Sequence, residues 1–301
     1  MNVTKLPRLL SAFSINQKNF KLQRSSVDHA KSLRLKVGSQ FRVFDGENGE
    51  FLATMHNPGS GECLLDRKLR DAPLIEKKHI WLFTSALDRV RHSFLVEKAV
   101  ELNVSFLFTH LVTDRTQQHG SNHKEDIQDG KFLQSSYQVV LDDTLERYYL
   151  KAPPRVRPPI SAINSWIRDA TQQCERLTIP SVGKSLSLKS LFEFWENDHH
   201  QFDSFKERCL LICDEDFARS DGGKGGSTIL NAIAGLPDIS HVGILVGPEG
   251  GFSETEKELL KSMEKQSNKR FKRVCLGPNI LRVETAAIVA LSQLSVYINA
   301  S

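Results

Sequence analysis

The sequence predicts a mixed α/β chain, in which a small antiparallel β-barrel precedes a larger domain built on a mainly parallel sheet. Three observations lead to this fold class. Apolar and polar residues alternate from Leu33 around the turn signal "DGENG", a pattern typical of short antiparallel strands. Further along, a strand, a helix and a strand follow one another, which is the start of a parallel sheet. The closing third repeats that order, with a glycine- or proline-containing loop after each of two strands.

Length and composition are those of a globular protein. With 301 residues, 40% of them hydrophobic, the chain is long enough for two domains with ordinary cores. The longest apolar runs are shorter than the roughly 18 to 20 residues that cross a bilayer. We therefore expect no membrane segment.

The cysteines and histidines favour neither disulfides nor a metal. The number of cysteines is odd, five, and none form a Cys-x-x-Cys pair, so a disulfide framework and a common zinc site are both disfavoured. A reducing compartment is the natural inference. The histidines at 110, 119 and 123 and the pair at 199 and 200 lack regular ligand spacing, and we expect no metal.

Positive charge is concentrated at the start of the chain. The first forty residues carry a net charge of +7, whereas the whole chain carries +4. Clustered Lys and Arg side chains favour a polyanionic partner such as RNA, although a solvated basic face would have the same composition. Residues 1–27 are also free of acids, which is typical of an organellar transit peptide. We expect a cytoplasmic protein, or an organellar one if this segment is such a peptide.

The first domain follows from the alternating segment "LRLKVGSQFRVFDGENGEFLATM", which predicts short strands of a small barrel. A second turn signal, "NPGSGE", comes next, and "RDAPLIEKK" is typical of a linker. We therefore assign residues 1–72 to the barrel and residues 73–301 to a second domain.

The second domain begins with a β-α-β pattern. "IWLFTSAL" predicts a buried strand, "RVRHSFLVEKAVEL" has apolar residues at helical spacing, and "VSFLFTHLV" predicts the next strand. Residues 114–160 then interrupt the pattern, because they are polar at first and proline-rich at their end. They predict a long surface insertion with little core of its own.

Two helices and a strand are predicted after the insertion. The helices are "SAINSWIRDATQQCERLTIP", ended by its proline, and "LSLKSLFEFWEN", and the strand is "CLLICDED". The glycine-rich "SDGGKGGST" follows. Its lysine is not followed by Ser or Thr, so it is a flexible linker rather than a phosphate loop.

The last third contains two strand-loop-helix units. In the first, the loop "GPEGGF" joins the strand "HVGILV" to a helix that starts at Ser253, and Glu256 completes a capping box with that serine. Open α/β sheets bind ligands at such a place. The loop lacks the GxGxxG fingerprint and carries Glu249, which disfavours a pyrophosphate. A nucleoside with a positive charge, such as S-adenosylmethionine, fits better.

The second unit runs from the strand "FKRVCLG" through "PNILRVE" into an apolar final helix. Arg282 and Glu284 are the charged residues before that helix. Two residues apart, they point to different sides of a helix, so one could face a ligand and the other a helix end or a partner. Salt-bridged scaffolding remains the alternative for both.

Together, "LVGPEGGFSETE" and "LGPNILRVETAAIVAL" resemble the paired C-terminal motifs of the RsmE family, the small-subunit ribosomal RNA uridine-N3 methyltransferases of the SPOUT superfamily. "LVEKAVELNV", "RDATQQCERLTIP" and "LRLKVGSQFRVFDGENGEF" resemble further segments of the family. Both C-terminal motifs occur in order at the end of the chain, which makes the resemblance specific.

The resemblance implies a PUA-like RNA-binding barrel followed by a SPOUT methyltransferase domain with a trefoil knot, and a homodimer with its pocket near the subunit interface. It implies S-adenosylmethionine as cofactor and 16S ribosomal RNA or the assembled small subunit as partner. The implied reaction is methylation of N3 of a uridine. Since N3 lies on the Watson–Crick edge, the base must be unpaired or extruded.

Site residues follow from the same motifs. The implied cofactor-binding residues are Leu245, Val246, Gly247, Pro248, Glu249, Gly250, Gly251, Leu276, Gly277, Pro278, Ile280, Leu281 and Thr285. Arg282 is the first candidate for stabilising the uridine anion, and Glu249 and Glu284 are weaker candidates for accepting the N3 proton. We expect Arg8, Arg34, Lys36 and Arg115 to bind RNA.

Some positions depart from the family pattern. Asn103 replaces a glycine, and asparagine is the residue that tolerates a left-handed backbone next best. Asn279 stands where the family often has an arginine. Two other functions therefore stay open: a SPOUT methyltransferase acting on another RNA position, and an RNA-binding ribosome-assembly factor with weak or no catalysis. A nicotinamide-dependent dehydrogenase is disfavoured by the missing fingerprint.

Overall fold

The computed structural model describes residues 2–13, 17–71, 78–117, 158–196, 208–214, 227–234, 239–266 and 270–300. The chain divides into two compact units, the first made of residues 1–76 with 168–179 and the second of 77–167 with 180–301. The sequence interpretation had placed residues 168–179 in the second domain. The structure moves them because arginines of the first unit bind this segment. The predicted insertion lies outside the described residues from 118 to 157.

The first unit contains one five-stranded sheet and a helix. Its elements are β1 (Arg8–Leu10), β2 (Asn19–Lys21), α1 (Arg24–Ser32), β3 (Gln40–Phe44), β4 (Glu50–Asn57) and β5 (Glu62–Arg70). The strand order is β1-β3-β4-β5-β2. All neighbours are antiparallel as predicted, except β1, which pairs with β3 in parallel. Three-residue β1 is too short to show an alternation in the sequence.

The predicted "DGENG" turn between β3 and β4 is confirmed. The carboxylate of Asp45 accepts hydrogen bonds from the backbone N–H groups of Glu47 at 2.9 Å and Asn48 at 2.8 Å. These bonds satisfy the donors that the turn leaves without a strand partner. The turn therefore fixes the β3–β4 register.

A buried ion network lies in the first unit. Glu50 is 2% exposed, and its carboxylate contacts Arg8 at 2.6 Å, Arg70 at 2.8 Å and Arg42 at 3.8 Å. Burial alone would raise the pKa of Glu50, but the hydrogen bonds from Arg70 and Arg8 outweigh it and hold that pKa below its usual value. Glu50 thus pairs with Arg8 and Arg70, and Glu175 makes the closer contact with Arg42, at 2.7 Å.

The second unit contains a six-stranded parallel sheet. The strands of this unit, six in that sheet and two in a separate pair, are β6 (His79–Thr84), β7 (Phe106–Phe108), β8 (Leu111–Val112), β9 (Ser181–Val182), β10 (Leu186–Ser187), β11 (Arg208–Cys213), β12 (His241–Val246) and β13 (Phe271–Val274). Its helices are α2 (Arg89–Glu101), α3 (Asp114–Gln117), α4 (Ile160–Gln173, the last residues of which belong to the first unit), α5 (Leu188–Glu196), α6 (Ile229–Ile233), α7 (Glu254–Gln266) and α8 (Val283–Ala300). The sheet order is β13-β11-β12-β6-β7-β9, and β8 pairs with β10.

This strand order brings the predicted ligand loops together. β11 lies between β12 and β13, and all three run in parallel. Their carboxyl ends therefore meet at one edge of the sheet, which is where open α/β sheets bind ligands. An aromatic core supports the sheet, with Trp81 and Trp195 packed edge to face at 5.7 Å between ring centroids.

Asn103 adopts the left-handed conformation expected from the sequence. Its φ is 63°, and it follows the last turn of α2. The next residue, Val104, donates its backbone N–H to the carbonyl of Ala99 at 3.0 Å, as in a Schellman motif. Asparagine therefore replaces glycine here without loss of the helix end.

No helix in the described part of the chain has both the length and the apolar composition of a membrane span. Within the same residues, no group of three or more His, Cys, Asp and Glu side chains is arranged to hold a metal ion. The five cysteines, all of which are described, are free thiols.

Buried histidines make the stability of the second unit dependent on pH, among them His92 and His110, which lie next to each other. His92 is 0% exposed and His110 is 4% exposed, and their ring centroids lie 5.5 Å apart. Burial lowers the pKa of His92 to about 4. Burial, followed by repulsion from His92, lowers the pKa of His110 to about 3. Both rings are neutral in the folded protein at neutral pH.

We expect the free energy of unfolding to fall as the pH drops below about 6.5, where these histidines take up protons in the unfolded chain only. The loss continues down to the folded pKa values and reaches roughly 1 kcal/mol per histidine at pH 5.5. Urea denaturation followed by tryptophan fluorescence at pH 7.5 and 5.5 measures it. His92→Gln should reduce this pH dependence, and exposed His56→Gln should not. An equal pH dependence in wild type and His92→Gln would contradict the assignment.

Candidate active site

A cleft of about 250 Å³ opens at the carboxyl ends of β11, β12 and β13. Both loops singled out in the sequence contribute to it. Ten of the predicted cofactor-binding residues line it: Val246, Gly247, Pro248, Glu249, Gly251, Leu276, Gly277, Pro278, Ile280 and Leu281. The cleft belongs entirely to the second unit.

Three predicted cofactor residues lie elsewhere. Leu245 is fully buried in the sheet, because it points to the opposite face from its neighbour Val246. Gly250 faces the aliphatic part of Arg115, which a Cβ at Gly250 would meet at 3.6 Å. Thr285 is exposed on α8 and does not line the cleft. Their assignment to the cofactor stays a prediction.

The sequence interpretation missed the contribution of β11 to the cleft. Cys213 ends this strand and Asp214 follows it, and both line the cleft. The sequence contained an indication of this contribution, because "CLLICDED" places acidic residues directly after a predicted strand. What the sequence alone lacked was the strand order that sets β11 between the two ligand loops.

The glycines of the two loops serve different purposes. Gly277 has a φ of 137°, a conformation that other residues rarely adopt, although a Cβ there would meet nothing within 4 Å. At Gly247 the reason is space, because a Cβ would approach the ring of Phe252 at 2.8 Å. Phe252 therefore packs directly against the loop and forms part of the cleft wall.

Arg91 on α2 joins the two loops. Its guanidinium donates to Glu284 from two nitrogens, one of them Nε at 2.9 Å, and it also contacts the carboxylate of Glu249. Asp88, which caps α2, lies 3.8 Å from the same guanidinium. We call the contact of Arg91 with Glu249 and Glu284 the Arg91 bridge. No sequence signal indicated it, because Arg91 lies far from both loops along the chain.

The Arg91 bridge changes the interpretation of the two glutamates. Glu284 is 8% exposed, and the hydrogen bond from Arg91 lowers its pKa. The same contacts raise the pKa of Arg91, first through Glu284. A carboxylate held in its ionised form by a guanidinium is a poor proton acceptor. Glu284 is therefore disfavoured as a general base, and Glu249 shares its partner Arg91.

Arg282 lines the cleft and is exposed. It lies just before α8, whose first turn is started by the hydrogen bond from the N–H of Ala286 to the carbonyl of Arg282 at 2.8 Å. The guanidinium therefore stands at the mouth of the cleft, on a backbone fixed by a helix. Lys257, which also lines the cleft, pairs with Glu254 at 2.9 Å.

The predicted capping box of α7 is confirmed and extends to α3. Glu256 donates its N–H to the hydroxyl of Ser253 at 3.2 Å, and its carboxylate accepts from the N–H of Ser253 at 2.9 Å. Ser253 in turn donates to the carboxylate of Asp114 at 2.5 Å. The N–H of Asp114 donates to Glu256 at 2.9 Å. This network fixes the end of the "GPEGGF" loop.

Of the predicted RNA-binding residues, Arg8 is buried. It is 6% exposed, its guanidinium packs 3.6 Å from the ring centroid of Phe44, and it donates to Glu50 and to the carbonyls of Thr171 at 2.6 Å and Arg176 at 2.7 Å. Its donors are thus directed at the protein itself. The prediction that Arg8 binds RNA is corrected to a structural role.

Arg34, Lys36 and Arg115 are exposed, as RNA binding requires. Arg34 has a φ of 55° at the end of α1, a position where glycine is the usual residue. The N–H of Leu35 donates to the carbonyl of Ala30 at 3.1 Å, which completes the helix end. The chain therefore carries a cation where the backbone favours glycine.

Comparison with protein families gives two matches. Residues 155–295 match the model of an RNA methyltransferase domain, and residues 22–66 match that of an RNA methyltransferase PUA domain. The first match covers both cleft loops, and the second covers α1 and the β3–β5 region.

Two curated proteins are similar in sequence, and both are named ribosomal RNA small subunit methyltransferase E. The protein from Rickettsia conorii is 25% identical over 279 residues, which is 91% of this chain and 89% of that protein. The one from Bacillus subtilis is 30% identical over 129 residues, 42% of this chain and 43% of that protein.

Solved structures share the fold over nearly the whole chain. A methyltransferase from Legionella pneumophila with bound SAM superposes with a TM-score of 0.65 at 22% identity, covering 97% of this chain and 98% of that one. A ribosomal RNA small subunit methyltransferase E from Neisseria gonorrhoeae with bound S-adenosyl methionine gives 0.63 at 19% identity and the same coverage.

Proposed function

We propose that the chain is a member of the RsmE family of RNA methyltransferases, and that it methylates N3 of a uridine in small-subunit ribosomal RNA with S-adenosylmethionine as donor. The observation that carries the proposal is the cleft, which both family motifs line at the carboxyl ends of three adjacent parallel strands.

The cleft fits the cofactor in shape and in chemistry. Leu276 and Ile280 supply apolar walls for a base, and the two loops supply backbone groups that glycine leaves accessible. Asp214 adds a carboxylate that suits a cationic ligand. When bound, S-adenosylmethionine supplies the methyl group carried on its sulfonium sulfur.

Arg282 is the residue that we assign to the uridine. Loss of the N3 proton leaves negative charge on the base, and a guanidinium at the mouth of the cleft stabilises that charge and orients the ring. The Arg91 bridge holds the two loops together, so that Arg282 and the cofactor-binding backbone keep a fixed separation. Glu249 and Glu284 are both paired with Arg91. We therefore assign no protein residue as the base that accepts the N3 proton.

RNA is proposed to contact exposed cations in both units. Arg34 and Lys36 lie at the end of α1 in the first unit, and Arg115 lies beside the "GPEGGF" loop in the second. Such contacts neutralise phosphates and position the RNA without reading its sequence. Either naked ribosomal RNA or the assembled small subunit would present them.

A homodimer is also proposed. On α2, Val90 is 76% exposed and Phe94 is 44% exposed, and on neighbouring α8, Val296 is 64% exposed. Exposed apolar side chains on two packed helices suit a partner surface. Light scattering on the purified protein tests this proposal. A trefoil knot in the second unit is proposed with the family assignment, as is a cytoplasmic location, or an organellar one if the basic N-terminus is a transit peptide.

One assay tests the function directly. We expect purified protein to bind S-adenosylmethionine in calorimetry and to add N3-methyluridine to small subunits from a strain that lacks the corresponding enzyme, as detected by mass spectrometry of nucleosides. Methylation of another base or of a ribose would keep the cofactor and overturn the target. Cofactor binding without any transfer would favour the RNA-binding assembly factor instead.

A further inference from the structure

Asp214 is the most buried charged residue that lines the cleft. It is 9% exposed, follows β11 directly, and donates its backbone N–H to the carbonyl of Val274 at 3.2 Å. The other charged lining residues, Glu249, Lys257 and Arg282, are more exposed and stand at the loops and on α7. The inner end of the cleft is therefore dominated by one carboxylate.

An ion cluster holds this carboxylate in place. Arg273 on β13 lies 3.5 Å from Asp214, but it makes its closer contact, at 2.7 Å, with Glu264 on α7. Arg273 thus contacts two carboxylates, one of which lines the cleft. A carboxylate offers about four lone-pair sites, so it can accept from a ligand as well as from protein donors.

The neighbouring thiol does not offset this charge. Cys213 also lines the cleft, and burial, followed by the nearby charge of Asp214, raises its pKa to about 12. It is therefore neutral at physiological pH. Asp214 is a largely buried carboxylate that lines the cleft, and a positive ligand group is attracted to such a carboxylate more strongly than in water.

We propose that Asp214 selects the methyl donor by charge, attracting the positively charged sulfonium form and releasing the product S-adenosylhomocysteine, whose sulfur is neutral. The proposal rests on the proposed function, because it names the residue of that same cleft that distinguishes substrate from product. Asp214 acts here through electrostatic attraction in the bound state, and it transfers no proton. Product release is favoured because the attraction disappears with the methyl group.

The test compares two ligands on one protein. We expect Asp214→Asn to weaken S-adenosylmethionine binding by roughly tenfold, while the Kd of S-adenosylhomocysteine changes by less than about twofold. Isothermal titration calorimetry on the full chain gives both constants. Their ratio is the decisive quantity, because a fraction of misfolded protein lowers both affinities equally and cancels. Asp214→Ser repeats the test with a different side chain.

Glu258→Gln is the matched control, because it removes one negative charge from the exposed face of α7 outside the cleft. The ratio of its Kd values for S-adenosylmethionine and S-adenosylhomocysteine should equal that of the wild type. Equal weakening of both ligands by Asp214→Asn would place Asp214 against a part that the two share, such as the ribose, and overturn the proposal. A wild-type protein that binds neither ligand would instead overturn the proposed function.

Discussion

Arg282→Ala is expected to lower the rate of methyl transfer by about 100- to 1,000-fold, the usual cost of losing a donor that stabilises charge in a transition state. Binding of S-adenosylmethionine should stay within about twofold of the wild type, because backbone groups and apolar walls supply most of the cofactor contacts. Single-turnover assays with small subunits measure the first quantity, and calorimetry measures the second.

Two further variants sharpen this result. Arg282→Lys keeps the charge but loses the planar fork, so it should recover part of the rate if charge matters more than geometry. Lys261→Ala, on the exposed face of α7, removes a cation outside the cleft and should transfer methyl groups at the wild-type rate. If Arg282→Ala lost cofactor binding together with transfer, Arg282 would belong to the cofactor site rather than to the uridine.

The fold was predictable where local pattern and tertiary structure agree. The central strands β6 and β12 are almost continuous apolar runs, since both faces of the sheet are covered there, and the loops that follow β12 and β13 both contain glycine and proline. The capping box at Ser253 and the left-handed Asn103 follow from local rules in the same way.

The site was less predictable because much of it depends on contacts between distant segments. Arg91 reaches Glu249 and Glu284 across more than 150 residues, and nothing in the residues around Arg91 indicates that partnership. Asp214 joins the cleft only through the order of the strands. Charge composition does not distinguish exposed from buried basic residues. Arg8 contributes to the basic N-terminal segment of the sequence, but it is buried in the structure.

The burial of Arg8 beside Glu50 leads to a second prediction, a large loss of stability when Glu50 is neutralised. Glu50→Gln is expected to reduce the free energy of unfolding of the first unit by about 3–5 kcal/mol, because it removes the carboxylate that pairs with buried Arg8 and with Arg70, while Arg42 keeps Glu175 at 2.7 Å. Arg8 and Arg42 are each 6% exposed and cannot turn to solvent without opening the sheet. Glutamine preserves the shape of the side chain, so the loss reports on charge rather than on a cavity.

The placement of the tryptophans allows the effect to be localised. All three, Trp81, Trp166 and Trp195, lie in the second unit, so tryptophan fluorescence follows that unit and should change little. Hydrogen exchange of peptides from β3 to β5 follows the first unit and should become much faster. Glu62→Gln removes an exposed carboxylate from β5 of the same sheet and should leave exchange unchanged. Unchanged exchange in Glu50→Gln would mean that the three arginines are solvated well enough to do without Glu50, and Arg8 would then again be a candidate for binding RNA.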